Sequence, residues 1–177
     1  MERRSAIWNL AIISGGLMFL PSCKSTPGRA SISLKNITIN ADQEKLLAEM
    51  ASTIIPATET LGAKEVDAHL FALRMLDDMY EKEVQEDFIT GLEHLENSTK
   101  KQFGKSFINC EAAQKQQVLL DIENKKGYPR EVVDFYAIMK QRTVQGYLNS
   151  KYVITNIIKY EFIPSQKYDV FYPVKKL

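Results

Sequence analysis

Residues 40–56 read NADQEKLLAEMASTIIP and carry the signals of one amphipathic helix from cap to stop. Asn40 to Asp42 supply short polar side chains that accept hydrogen bonds from the free N–H groups of a first helical turn, ahead of Gln43 and Glu44. Leu46, Leu47, Met50, Ala51, Ile54 and Ile55 then recur at three- and four-residue spacing, which places them along one face. Pro56 closes the run, because the residue before a proline is pushed out of helical geometry.

The same period returns down the chain. Val66, Leu70, Leu73, Leu76 and Tyr80 mark a second face, separated from the first by Pro56 to Gly62. Val84, Phe88, Leu92 and Leu95 mark a third, which Phe103-Gly104 ends, with Phe107-Ile108 tucked beneath it. Val118, Leu119 and Ile122 form a fourth, stopped by Gly127 and Pro129, and Val132, Tyr136, Met139 and Thr143 a fifth, ending about Gly146. Asn149 or Ser150 can cap a short sixth through Val153 to Ile157. Amphipathic segments with short connections and no strand–helix alternation predict an all-α fold, a single bundle of about five to six helices. Each segment has one apolar stripe, so none is stable alone, and the stripes must pack together.

The last stretch differs. Tyr147, Tyr152, Tyr160, Phe162, Tyr168, Phe171 and Tyr172 crowd together, and Pro164 and Pro173 forbid a continuous helix. An extended aromatic C-terminal tail is expected, packed across its own bundle or buried by a protein partner, since Tyr offers large contact area at low entropy cost.

At 177 residues, 45% hydrophobic and 25% charged, the chain has ordinary globular composition and room for one domain rather than two. Lys plus Arg number 23 against 22 acidic residues. Beyond Cys23 the two signs balance, because Arg3, Arg4 and Glu2 lie in the first stretch. A neutral domain has no global electrostatic reason to seek nucleic acid.

Residues 1–23 read as an export signal. Arg3-Arg4 precede an uncharged run from Ser5 to Ser22, a basic region followed by an apolar one. Gly15, Gly16 and Pro21 weaken a spanning helix and favour a processed signal. The arginine pair fits a twin-arginine signal, or an ordinary secretory one that happens to carry two arginines. Leu20-Pro21-Ser22-Cys23 resembles a bacterial lipobox, in which Cys23 becomes the acylated first residue. The expected location is the bacterial cell envelope, as a periplasmic, membrane-anchored lipoprotein. Residues 24–40, with Pro27 and Gly28, read as a polar tether with strand-like alternation at Ile32-Leu34 or Ile37-Ile39, and residues 41–177 as the helical domain. Cys110 is the other of two cysteines; with no disulfide partner left, it reads as a small buried filler beside a helix cap.

Motifs for catalysis are missing. No Cys-x-x-Cys-His attaches haem, and Gly15-Gly16 are the only paired glycines near a dinucleotide fingerprint. No G-x-S-x-G occurs. His69 and His94 read as residues at the edges of helical stripes; a metal site would need them with Glu65, Asp77 or Glu93, and no E-x-x-H pairing places such a ligand. Asp77-Asp78 and Glu81 to Asp87 read as solvated helix faces.

Residues 51–71, ASTIIPATETLGAKEVDAHLF, resemble the small third subunit of the gluconate 2-dehydrogenase family. That family shows an Ala-Asp-Thr-Ile-Ile-Pro-Ala-Thr-like run, then Gly-Ala and a helix; here Ser52 stands where Asp is usual. A second likeness covers residues 146–173, GYLNSKYVITNIIKYEFIPSQKYDVFYP, carried by Gly146, Tyr147, Ser150, Tyr160, Pro164, Tyr168 and Pro173. Phe103-Gly104-Lys105 before a Gln-rich helix start agrees as well, so the likeness spans about residues 41–173. A twin-arginine-like signal is also a family feature.

The resemblance implies a non-catalytic accessory subunit. In that family a large flavoprotein of the glucose–methanol–choline oxidoreductase type, holding FAD, oxidises a sugar or alcohol, and a cytochrome c subunit with haem c often takes the electrons. The small subunit lends its export signal and stabilises the flavoprotein, with no cofactor, metal or catalytic residue of its own. The lipobox suggests that this member also anchors its complex. The expected partner contacts are the Pro56–Gly62 turn, with Thr58 or Thr60 capping the helix after it, and the Gly146–Ser150 turn with Tyr147, joined by Tyr160, Pro164 and Tyr168. The Pro56–Gly62 turn equally reads as a plain connection between helices. A free-standing helical lipoprotein that binds an envelope protein or ligand is a reading from a different class, and a di-metal helical enzyme a third.

Overall fold

The computed structural model describes residues 28–160; Arg3, Arg4, Cys23, Phe162, Pro164, Tyr168, Phe171, Tyr172 and Pro173 lie outside them. Five α-helices follow in chain order: α1 Ala41–Ile54, α2 Ala68–Met79, α3 Lys82–Phe103, α4 Ala112–Glu123 and α5 Arg130–Leu148. A 3-10 turn at Phe107–Asn109 separates α3 from α4, and a π turn at Val153–Ile157 follows α5. Among the described residues there is no strand, only an isolated antiparallel bridge between Arg29 and Asn40. The protein is all-α, as its periodicity predicts.

Local chemistry sets the helix ends. The Asn40 side chain accepts from the N–H groups of Asp42 and Gln43 at 2.9 Å, and Gln43 Oε1 accepts from Asn40 N–H at 3.0 Å, a reciprocal cap that satisfies donors a helix start leaves free. Gly104, at φ +70°, ends α3 with its N–H on the Lys100 carbonyl. Ser150 caps the last turn, its hydroxyl accepting from Val153 N–H at 3.3 Å.

The apolar stripes meet in one core that includes Leu47, Met50, Leu73, Leu76, Phe88, Leu92, Leu95, Val118, Ile122, Val132 and Met139. Helix α5 touches all four other helices. Its closest approach is to α3: a Cβ on Gly91 would lie 2.4 Å from Phe135 Cβ and 2.5 Å from the Glu131 carbonyl oxygen. One turn away, the Phe88 and Phe135 rings stack edge to face, 4.6 Å between centroids.

The stretch expected to be a tether is, from Gly28 onward, part of the fold. Ile37 and Ile39 are buried, while Ala30, Ile32 and Leu34 pack against the core. Asp77 holds this strap: its carboxylate accepts from the N–H groups of Lys35 and Asn36 at 2.7 Å and of Ile37 at 2.9 Å. Asn36 Nδ2 donates in return to the Asp77 carbonyl. Asp77 is therefore no part of a solvated face; it is 4% exposed, whereas Asp78 is exposed as expected. The buried Gln85 amide closes the same end of α2, donating to the carbonyls of Leu76, Asp77 and Tyr80, which the helix terminus leaves unpaired.

Candidate functional site

The connection between α1 and α2 is a closed loop. Its neck is the Ala63 N–H donating to the Ile55 carbonyl at 2.9 Å, and the Thr58 N–H reaches the Thr60 carbonyl at 3.0 Å. Gly62 fits the neck because it lacks a side chain: a Cβ there would lie 2.5 Å from Ala57 N and 2.6 Å from the Ile55 carbonyl oxygen. Pro56 to Leu61 are exposed and Gly62 is buried. Neither Thr58 nor Thr60 caps α2. That helix starts instead at Asp67, in a left-handed conformation at φ 55° with no side-chain cap; the intervening residues Ala63 to Val66 form the turn that reaches it, with the Ala68 N–H on the Ala63 carbonyl.

The second predicted turn lies directly against the first. Tyr147 donates its hydroxyl to the Leu61 carbonyl at 3.0 Å, and the Leu61 N–H reaches the Tyr152 hydroxyl at 3.4 Å. Gly146 lets α5 approach α2, where a Cβ would meet the Phe71 side chain at 2.8–3.0 Å. Of the expected contact residues, Gly62, Tyr147 and Ser150 thus share one corner of the bundle with Pro56 and Thr58 on the loop. Leu61, Leu148, Ile157, Ile158 and Tyr160 are all exposed, between 41% and 61%, on the elements that form this corner. Tyr152 belongs to the aromatic cluster read from the sequence, whereas Leu61, Leu148 and Ile158 carry no local signal that sets them apart.

Glu49 braces the same loop from beneath. It pairs with Lys64, just past the neck, and with Lys115 of α4 at 2.8 Å. Burial raises the Glu49 pKa, but the two ammonium groups outweigh it and hold the carboxyl below its ordinary value.

The groups weighed for chemistry are dispersed. No cluster of three His, Cys, Asp or Glu able to hold a metal ion occurs among the described residues. His94 is exposed on α3, but His69 is not a boundary residue: it is 6% exposed, and its Nδ1 has no hydrogen-bond partner. Burial pushes the imidazole below its usual pKa, against the opposing pull of Asp67 and Glu44. Cys110 is buried beside the Glu111 cap of α4, and burial raises its thiol pKa, so it is a packed filler rather than a nucleophile. No helix among the described residues is long and apolar enough to cross a membrane.

The described residues form a helical bundle in which two turns meet at Leu61, with exposed apolar side chains on the elements that carry them. Residues 41–164 match the model of the gluconate 2-dehydrogenase subunit 3 family, and the chain belongs to that family. Its members are accessory subunits of a dehydrogenase complex, associated with other dehydrogenase subunits. No curated protein and no solved structure matches the chain.

Proposed function

We propose that this chain is the non-catalytic small subunit of a periplasmic, flavin-dependent sugar or alcohol dehydrogenase, which it exports, anchors and stabilises. The observation that carries the reading is the meeting of the two motif-bearing stretches at Leu61. Tyr147 and Tyr152, far from Leu61 in sequence, meet it there, and Leu61, Leu148, Ile157, Ile158 and Tyr160 on the same elements are exposed, the kind of apolar surface that a docking patch uses. In this reading the large flavoprotein holds FAD and seats on that corner, with Pro56, Thr58, Gly62, Gly146, Tyr147, Ser150 and Tyr160 in or under the contact and Pro164 and Tyr168 following on. A cytochrome c subunit with haem c accepts the electrons. The signal around Arg3-Arg4 directs export, and acylation at Cys23 holds the complex at the membrane.

The aromatic residues and Leu61 would supply most of the binding energy, because a few well-packed apolar anchors dominate such interfaces. The test is a mild-detergent pull-down of the tagged full-length chain from its native host, scanned for flavin absorbance and co-purifying chains. A stoichiometric flavoprotein that is lost when Leu61 or Leu148 is changed to Asp is the expected result. A colourless chain purified alone would overturn the reading in favour of a free-standing lipoprotein.

A further inference from the structure

The strap at residues 28–40 folds back on itself, so the chain enters the bundle at the start of α1. The Ala41 N–H donates to the Gly28 carbonyl at 2.9 Å, and Arg29 bridges to Asn40. Ser31 is held by both carboxylate oxygens of Glu44 at 2.7 Å, and Asp77 grips the far end of the loop.

We propose that this strap is a leash-shortening device that seats the Asn40 end of the bundle on the lipid surface and leaves the Leu61 corner clear of it. The proposal rests on the anchoring reading above. If residues 24–40 were a free tether, the bundle could stand about 60 Å from Cys23, at ~3.5 Å per residue. With the strap folded, only residues 24–27 separate Cys23 from Gly28, a reach of about 18 Å at most. Position 28 is therefore held near the bilayer, and with it the α1 N-terminus.

The opposite end of α1 leads into the Pro56–Gly62 loop. A helix of 14 residues is about 21 Å long, so the anchor and the docking corner occupy opposite ends of one rigid rod. A partner seated on Leu61, Tyr147 and Leu148 is thereby kept out of competition with the bilayer for the same surface. The membrane-near end includes Asn97 and Lys100 of α3, which line a cleft of about 580 Å³ with Asn40 and Asp42.

The test uses the full chain, acylated in its host and reconstituted into phosphatidylcholine vesicles carrying a headgroup-attached quencher. Fluorophores are placed at Asn97→Cys or Glu59→Cys in a Cys110→Ser background, both positions being exposed. Quenching at position 97 is expected to be at least about twice that at position 59, given the ~21 Å between the two ends. Inserting about ten Gly/Ser residues after Ser25 leaves the strap intact and should cut the quenching at 97 by roughly half or more, because the leash lengthens severalfold. Equal quenching at the two positions, or no effect of the insertion, overturns the proposal while anchoring stands. A chain that fails to float with vesicles overturns anchoring and the stand-off together.

Discussion

The Tyr147 hydroxyl donates to the Leu61 carbonyl at 3.0 Å, joining residues 86 positions apart. This bond fixes the loop after α1 to the end of α5 and so defines the corner on which a partner would seat. Changing Tyr147 to Phe keeps the ring and removes the donor. Because the site is partly exposed, water replaces much of the bond, and the expected loss is about 0.5–1 kcal/mol in folding stability. Capture of the flavoprotein should fall by more than that loss alone predicts. Urea unfolding and pull-down of the same variant measure the two, and unchanged capture would remove Tyr147 from the contact.

The two glycines of this corner should respond unequally to alanine. At Gly62 the added methyl meets backbone on two sides, at 2.5 and 2.6 Å, so the loop neck must open at a cost of about 2–3 kcal/mol. At Gly146 the nearest atoms all belong to the Phe71 side chain, at 2.8–3.0 Å. There alanine regains up to about 1 kcal/mol of helix propensity, so the net loss should be about 1 kcal/mol or less. Denaturant midpoints rank the pair, and the reverse order would contradict the packing described.

Acid should loosen the strap. Burial raises the Asp77 pKa, but three backbone N–H groups more than offset it, so the folded value lies below the ordinary 3.8. The Glu49 carboxyl is likewise held below 4.5. A group with a depressed folded pKa stabilises fully above its unfolded value, and that contribution is lost as pH falls through the folded value. Stability should therefore drop below about pH 4. Leu34 is the one chymotrypsin site between Cys23 and Leu46, and cleavage there should be slow in the native chain and faster in Asp77→Asn at neutral pH. Equal cleavage rates would mean that Asp77 does not hold the strap.

His69 adds a second, higher limb. Its folded pKa lies below the ordinary 6.5, so the unfolded chain binds the proton more readily. Stability should be full above about pH 6.5 and decline as pH falls from there. Replacing His69 with Leu removes the buried unpaired nitrogen and should flatten that decline between about pH 7.5 and 5.5. Urea midpoints at the two pH values decide it; the same decline in the variant would point to another group.

Cys110 should resist alkylation while the chain is folded. Burial raises the pKa of its thiol, despite Lys105 and Lys115 nearby. Iodoacetamide at pH ~8 should label it at least about tenfold faster in urea than in native buffer. Equal rates would place the thiol at the surface.

The helices were legible because their signals are local. The stripe from Leu46 to Ile54, the Asn40 cap, the Gly104 stop and the Ser150 cap each depend on residues within a few positions of one another. The candidate contact turns were legible only as separate stretches. Asp77 was misplaced because a carboxylate beside a second one has the pattern of a solvated helix face, and its true partners are backbone groups about 40 residues upstream. His69 was misplaced for the same reason: a helical stripe shows which face is apolar, but not whether a neighbour covers the residue at its edge.

Periodicity, caps and stops therefore settled the helical class, the helix count and the core stripes, since apolar burial is encoded every three to four residues. The bundle itself decided what lies across it: the strap on Asp77, the crossing at Gly91 and the joining of Leu61 to Tyr147. Those contacts depend on which surfaces approach within about 3 Å once the stripes pack, and chain separation carries no record of that distance.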